Sequence, residues 1–338
     1  MAKINMDEIA KSLGVSKGLV SKAMRGKYGV SEETRAKIFM QATNLGYDFS
    51  KLRNKKTSSL VIIYISDKSF KNEVFWQPII AGIESKLAQY KIKTSFFIFS
   101  KDGLTEEEIR DIKAQSCAGR IIIHHNYDFL FKAFNGSKIP TIVIDPKFVS
   151  KEHCLEIKYS NELSSFDLTE YLIGKGHKKI IYYGSPNFSD SFYERFEGFK
   201  SCVSKHKNEG VTYFDACFDN SDYSFANVEL LKKVIIKSNA TAIQCSNDLI
   251  AYSAYTAVKE LGLAVGKDIS VVGFDNSQEA TWIFPSLTTV SMRRTEIGAI
   301  AAKFIIDSME TKNLVFSEVS INCELIERNS VRDLNNIK

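Results

Sequence analysis

Several things are scarce in this chain of 338 residues. It has only five prolines and 18 glycines, so it is no fibrous, collagen-like or low-complexity protein. Its six cysteines (117, 154, 202, 217, 245 and 323) are scattered without a CxxC pair, which argues against a disulfide framework or a zinc ribbon and for thiols in a reducing compartment. No apolar run approaches the roughly 20 residues of a membrane span. The first residues, MAKINMDEIAKS, offer no apolar stretch of the secretory type, so a cytoplasmic location is expected. The catalytic signatures are missing too. Gly262 to Asp268 has three residues between its glycines and an Asp where a phosphate-binding loop needs Ser or Thr. No GxGxxG follows an apolar run, and no GxSxG elbow occurs. His124 and His125 have no acid or His partner at ligand spacing, so no metal or other cofactor is expected. The chain reads as a non-enzyme.

What is present is uneven in charge. Residues 1–56 hold twelve Lys and Arg against five Asp and Glu, a net +7, while the whole chain carries +5 and residues 57–338 therefore −2. All the positive excess lies in the first sixth of the chain, the footprint of phosphate contacts. Within it, Asn5 to Tyr28 reads as two short helices about a tight turn. Asn5 and Glu8 form a capping-box pair, Ile9, Ala10 and Leu13 an inner stripe, and Gly14 the turn. Ser16 caps the second helix, with Leu19, Val20, Ala23 and Met24 facing inward and Lys17, Gly18, Ser21, Lys22 and Arg25 outward. Such a helix-turn-helix lays its second helix in the DNA major groove; the alternative is a plain helical hairpin with a solvated basic face. A third helix opens at Ser31, with Ile38, Ala42 and Leu45 inward and Gly46 at its end. Residues 47–59 are polar and basic, a linker.

From Leu60 the pattern becomes alternating strands and helices. Buried strands are expected at 60–65, 94–99, 120–124, 141–145, 154–159, 179–184, 241–246 and 269–275, with helical stripes between them such as Ile79, Ile80, Ile83 and Leu87. This βαβα rhythm argues for parallel sheets covered on both faces, and eight strands over some 270 residues for two Rossmann-like lobes. Asp145, Arg195, Asn247 and Asp275 each fall just after an expected strand or at the start of the next helix, where open α/β sheets bind ligands.

The N-terminal run DEIAKSLGVSKGLVSKAMRGKYGVSEETRAKI, with Leu45-Gly46-Tyr47, resembles the lactose-repressor (LacI/GalR) family of bacterial transcription regulators. Leu172-Ile173 with Gly176-His177-Lys178-Lys179-Ile180 is similar to the family's L-I-x-x-G-H-x-x-I, and Arg195-Phe196-Glu197-Gly198-Phe199 to its R-x-x-G-F. Asn247-Asp248, Asp268 to Asp275, and Pro285-Ser286-Leu287-Thr288-Thr289-Val290 follow in the family's order. The resemblance implies an α headpiece (1–46), a hinge (47–59) and a two-lobed periplasmic-binding-protein-like α/β core (60–330), followed by a short tail (331–338). Lobe 1 would take about 60–153 plus 288–318, and lobe 2 about 154–287 plus 319–330, with the strand near Val319 to Ile326 returning to the second lobe. It further implies a homodimer on a pseudo-palindromic double-stranded operator, and an effector, expected to be a sugar, bound between the lobes. The tail has only Val331, Leu334 and Ile337 at near-helical spacing, too little for a tetramerising coiled coil.

Carried over residue by residue, the resemblance assigns DNA contacts to Ser16, Lys17, Gly18, Ser21, Lys22, Arg25, Leu52 and Arg53. It assigns effector hydrogen bonds to Asp145, Arg195, Asn247 and Asp275, while Phe75, Trp76, Phe192 and Trp282 could offer flat faces to a sugar ring. Each has a plainer reading: phosphate contacts or a cap for the headpiece residues, salt bridging for Arg195 and Asp145, packing for the aromatics. Three departures matter. Gly18 takes a side chain off the readout surface. Tyr47 and Leu52 lie five apart where the family has nine, so about one helical turn of the hinge is missing. Tyr159-Ser160-Asn161 replaces the family's usual D-N. Two other functions share this core: a regulator answering mainly to a partner protein, and an exported sugar-binding transport protein, for which the basic headpiece would have no use.

Overall fold

The computed structural model describes residues 4–24, 29–47, 60–71, 73–100, 102–124, 128–134, 137–146, 154–219, 227–311 and 317–336. The chain divides into two compact units, 1–58 and 59–338. In the first, α1 (Met6–Leu13), α2 (Lys17–Met24) and α3 (Glu32–Asn44) form a three-helix headpiece. The expected caps are made. Asn5 Oδ1 accepts the Asp7 and Glu8 N–H groups, and the Glu8 carboxylate accepts the Asn5 N–H at 2.7 Å. Gly14 takes the left-handed backbone (φ 64°) that lets the chain turn out of α1. Ser16 and Ser31 Oγ accept the N–H groups of Leu19 and Thr34. These caps are each worth about 1 kcal/mol, which matters for helices of eight residues that are marginal alone. Ile9, Val20, Ala23, Met24, Ile38 and Ala42 fill the space between them, while Leu13, Leu19 and Leu45 sit half-buried at its rim.

The second unit opens with β1 (Leu60–Ser66), α4 (Asp67–Lys71), α5 (Glu73–Gln89), β2 (Lys93–Phe99), α6 (Glu106–Ala114), β3 (Gly119–Ile123), α7 (Asp128–Ala133), β4 (Thr141–Ile144) and β5 (Leu155–Tyr159). It continues through α8 (Asn161–Gly174), β6 (Lys179–Gly184), α9 (Asp190–Lys205), β7 (Thr212–Cys217), α10 (Val228–Ser238), β8 (Ala242–Cys245), α11 (Asp248–Glu260) and β9 (Ser270–Val272). The last elements are β10 (Thr289–Ser291), α12 (Arg294–Thr311), β11 (Glu318–Ile321) and β12 (Glu324–Ile326). All eight apolar runs are strands. β7 is one that the sequence hides: it is a sheet edge with only Ala216 buried, so its residues show no apolar run.

The strands make two parallel sheets, ordered β11-β5-β4-β3-β1-β2 and β7-β6-β8-β9, and an antiparallel pair β10-β12. Alternate residues of each strand serve opposite faces. In the first sheet Ile63, Ile121 and Ile142 pack on α5 and α12, while Ile62, Ile122 and Val143 pack on α6 and α7. In the second, Ile180 and Tyr182 face α8 and α9, and Ile181 and Tyr183 face α10 and α11. Helices on both faces explain why the strands read as unbroken apolar runs.

The lobe boundaries differ from those expected in two places. β5 was expected to begin the second lobe; instead it extends the first sheet beside β4, with Leu155 opposite Ile142. Its run of buried residues needs cover on both faces, which that edge provides. The returning segment is two strands, not one. β11 adds to the first sheet with Val319 opposite Ile157, and only β12 leaves it, pairing with β10. One helix crossing fixes the first lobe tightly: a Cβ at Gly82 of α5 would stand 2.1 Å from Thr295 O, and one at Gly298 of α12 2.0 Å from Ile79 O. The two glycines let these backbones touch.

Candidate nucleic-acid face and ligand cleft

Helix α2 buries Val20, Ala23 and Met24, which turns Ser16, Lys17, Gly18 and Lys22 outward and leaves Ser21 half-buried. Ser16 Oγ accepts the Leu19 N–H and so makes the cap. Lys17 Nζ rests 2.6 Å from Asp7 Oδ2 on α1; both side chains are more than half exposed. A pair so wet is worth about 0–1 kcal/mol, and a phosphate or a base edge can take its place. At Gly18 the nearest atom to an added Cβ is Ser16 Oγ at 3.8 Å, so the face has room for a side chain it does not carry. Arg35 of α3 donates to Ala23 O at 2.8 Å and closes the end of α2. Arg25, and Leu52 and Arg53 of the shortened hinge, lie outside the described residues.

In the second unit both sheets reverse their winding beside the first strand, between β1 and β3 and between β6 and β8, and such switch points open a crevice at the carboxyl ends. There the buried Arg195, 3% exposed on α9, is the hub. Its Nε donates to Asn161 Oδ1 at 3.0 Å and its Nη1 to Ser246 O at 2.8 Å. It forms an ion pair with Asp275 at 3.2 Å, off the line of a good hydrogen bond, and Nη2 reaches Met292 Sδ at 3.5 Å. Its guanidinium lies 3.9 Å from the centre of the Phe274 ring and 5.2 Å from that of Phe192. Asn161, at the start of α8, holds Arg195 with one end and the Glu194 carboxylate, 3.0 Å away, with the other.

Two aspartates, Asp145 and Asp275, face this one arginine, and a third, Asp248, lies beside Asp275. Burial pushes Asp145, at the end of β4, up to about 7, against the pull of Arg195 and with a push from Asp275. Burial likewise raises Asp248 to about 7, with Asp275 adding to the effect, although Asp248 accepts from Thr289 Oγ1 at 2.5 Å and from the Ser277 N–H at 2.7 Å. Asp275 itself is raised by burial, opposed by Arg195 and Arg294. The backbone is unusual in the same place: His124, Asp145, Asp275, Asn276 and Arg293 all adopt positive φ, from 45° to 108°, at the ends of four strands. Left-handed backbone at side chains with a Cβ costs energy and gathers at functional sites. Among the described residues, Tyr159 Oη and Ser246 Oγ are buried without a hydrogen-bond partner.

Four of the sequence candidates meet in this cluster: Asp145, Arg195, Asn247 and Asp275. Asn247 Oδ1 caps α11 by accepting the Ile250 N–H at 2.9 Å, and its side chain also reaches Asp275. Phe75 and Trp76 stand edge to face at 4.6 Å, Trp76 lies 4.9 Å from His124, and Arg294 lies over Phe75 at 5.4 Å. Arg294 joins the two groups, since it also donates to Asn276 O at 3.2 Å. Phe192 is buried among the residues packed on β6 and β8 and touches the cluster through Arg195. Trp282 is the exception. It is 69% exposed at the end of a 3-10 turn, and Phe284 two residues on is 94% exposed, so both face water instead of walling the cluster. A separate groove of 420 Å³ opens alongside, lined by Lys158, Ser160, Glu162 and Ser320, and shares only Tyr159, Asn161 and Glu194 with the buried cluster.

Several residues of the cluster escaped the sequence. Arg294 and Met292 belong to no motif quoted for the chain, and Asn161 looked like a departure when it orients the hub. Other motif residues prove structural. A Cβ at Gly198 would stand 2.0 Å from Glu162 O, so this glycine sets the close approach of α8 and α9. One at Gly273 would stand 2.2 Å from Asp248 Oδ1, so this glycine makes room for the carboxylate. His177 is fully buried, bonded to Thr241 and Ser270 Oγ, and burial lowers it to about 4, which keeps it neutral.

The comparisons with known proteins agree with this geometry. Residues 5–48 match the model of bacterial regulatory proteins of the lacI family, and residues 169–331 that of a periplasmic binding protein-like domain. The chain is 25% identical over 335 residues to the HTH-type transcriptional repressor CytR of Escherichia coli (strain K12), covering 97% of this chain and 96% of that protein. A transcriptional regulator CelR–cellobiose complex has the same fold, with a TM-score of 0.66, 20% identity and coverage of 97% of this chain and 100% of its own. So does a lac repressor dimer bound to operator and the anti-inducer ONPF, at a TM-score of 0.65, 20% identity and coverage of 98% and 100%.

Proposed function

Since the chain belongs to the lacI family of bacterial regulatory proteins, it is a DNA-binding transcription regulator and not an enzyme, and we propose that it is a repressor whose hold on its operator is set by an uncharged, polyhydroxylated effector. The carrying observation is the composition of the cleft. Asp145 and Asp275 are buried acceptors with room for further donors, Glu194 has one donor in Asn161, Asp248 is held by Thr289 and Ser277, and burial raises all four. The hydroxyls of a sugar supply such donors without adding charge, while Phe75 and Trp76 offer a flat apolar side. A phosphorylated sugar would instead bring a dianion among four acids faced by two arginines already engaged, and like charges at close range cost several kcal/mol. Support also comes from the CelR neighbour, which is in complex with cellobiose.

The rest of the mechanism follows from linkage. A ligand spanning both sheets favours one closure of the cleft, and it shifts operator affinity only by the difference in its affinity for the two states. A homodimer matches a pseudo-palindromic operator in the cytoplasm, each α2 entering one half-site. Its candidate contact surfaces are apolar residues left in water: Phe96 and Ile98 on the edge strand β2, and Trp282 with Phe284. Among the described residues no helix is long and apolar enough to cross a membrane.

The test is calorimetric titration of the full chain with neutral mono- and disaccharides and with their phosphate esters, followed by operator binding in the presence of each. A neutral sugar is expected to bind, to change operator affinity, and to exceed its phosphate ester by at least tenfold. A phosphorylated ligand binding most tightly would refute the assignment.

A further inference from the structure

Away from the cleft and the headpiece, one group of side chains is arranged for a different purpose. We propose that Glu170 of α8, Cys202 of α9 and His206 at the end of α9 form a transition-metal site that fits zinc. The two helices run side by side on one face of the second sheet, and the Gly198 approach brings them close enough for their side chains to share a site. One ligand atom from each residue, a carboxylate oxygen, a thiol sulfur and an imidazole nitrogen, lies within 4.8 Å of the other two. Bond lengths of about 2.0–2.3 Å from zinc to N, O and S put tetrahedral ligand atoms roughly 3.5 Å apart, so side-chain rotation of about 1 Å closes the set.

The neighbouring groups favour this reading. His206 Nε2 points at Glu170, 3.0 Å from both carboxylate oxygens. Its other nitrogen, Nδ1, is 2.8 Å from Glu209 Oε1. A carboxylate holding the far ring nitrogen fixes the tautomer that leaves Nε2 free to ligate, the supporting arrangement of many metal histidines. One sulfur, one nitrogen and one oxygen donor select zinc or cobalt over the hard, oxygen-seeking magnesium and calcium. Water would complete the fourth position.

Three adjustments accompany binding. His206, with a carboxylate at each ring nitrogen, releases its Nε2 proton to solvent so that this nitrogen can ligate. The Cys202 thiol, fully buried, gives up its proton to become the ligand. The Lys205 ammonium, 2.6 Å from Glu170 Oε1 and 59% exposed, leaves the carboxylate for solvent as the metal takes over its charge. The site would then tie together the ends of α8 and α9 that lie opposite Asn161 and Arg195. It does not depend on which effector the cleft takes.

The experiment uses the full chain, untagged, with zinc titrated against a chromogenic chelator and cobalt(II) followed by absorption. One equivalent of metal is expected, with a thiolate-to-cobalt charge-transfer band. Cys202→Ser should remove the band, His206→Gln should weaken zinc binding at least tenfold, and Glu209→Gln should weaken it by about 10- to 100-fold. Cys217→Ser should change nothing. Glu170→Gln, at a half-exposed position, provides a variant that keeps the fold if Cys202→Ser does not. Absence of stoichiometric binding by the unaltered chain overturns the proposal, as does a cobalt band or zinc affinity that survives in the Cys202→Ser, His206→Gln double variant.

Discussion

Replacing Arg195 with Met tests the cleft at its centre. Methionine keeps the length and the apolar stem but removes the guanidinium. Asn161 Oδ1 and Ser246 O then lose their donors at 3.0 and 2.8 Å, and Asp275 loses its ion pair at 3.2 Å. Breaking one side of a buried pair costs about 3–5 kcal/mol, because the remaining charge is stranded in a poor solvent. Asp275→Asn in the same molecule removes that charge, so the double variant should recover about 1–3 kcal/mol of the loss. The pH dependence has a definite sign. Arg195 is the largest influence opposing burial at both Asp145 and Asp275, so without it both carboxyls rise further. A carboxyl raised in the folded state contributes stability below its unfolded value and loses it as pH climbs through the folded one. The Arg195→Met penalty should therefore be larger at pH 8 than at pH 5. Equilibrium urea unfolding at constant slope gives both numbers. A loss under about 1 kcal/mol, or strict additivity with Asp275→Asn to within about 0.5 kcal/mol, would show that Arg195 is not the organising charge of the cleft.

Three further outcomes follow from other parts of the molecule. Gly298→Ala should destabilise the core by about 1–3 kcal/mol in the same urea assay, since the new methyl would meet the Ile79 backbone carbonyl, which has no slack to give. His177, lowered by burial to about 4, lends stability above its unfolded value near 6.5 that is lost as pH falls towards 4; His177→Gln should flatten that limb of a stability-against-pH curve measured by thermal melts. Gly18→Ala should stabilise the headpiece by up to about 1 kcal/mol, read from the helical signal on heating, because the position is helical and open.

The sequence made the eight central strands and the headpiece helices legible because their signals are local. An apolar run buried on both faces, or Asn5 and Glu8 three apart, carries its meaning within a few residues. Other features are decided by what lies far away. β7 is half-polar because it is an edge, and an edge of this kind reads as a loop. The site showed the same division. Asp145, Asn247 and Asp275 were visible as polar residues after apolar runs, and Arg195 from its motif. Arg294 reaches the cluster through Asn276 and Phe75, from 18 and 219 positions away in the chain, so no nearby pattern points to it. Trp282 stands exposed, and this is illegible for the opposite reason: a tryptophan after a strand looks the same in sequence whether it faces a cleft or water.

The strand order of the first sheet has a consequence for how the protein comes to be made. Its β1 to β5 leave the ribosome early, yet α12, which covers one face, and β11, which closes its edge, follow only after the whole second sheet has been synthesised. Until then the α12 face of Ile121 and Ile142 and the free edge of β5 stand open in the nascent chain, a state prone to aggregation and suited to chaperone capture. A premature stop anywhere before Arg294 thus spoils the lobe made first, not only the one made last.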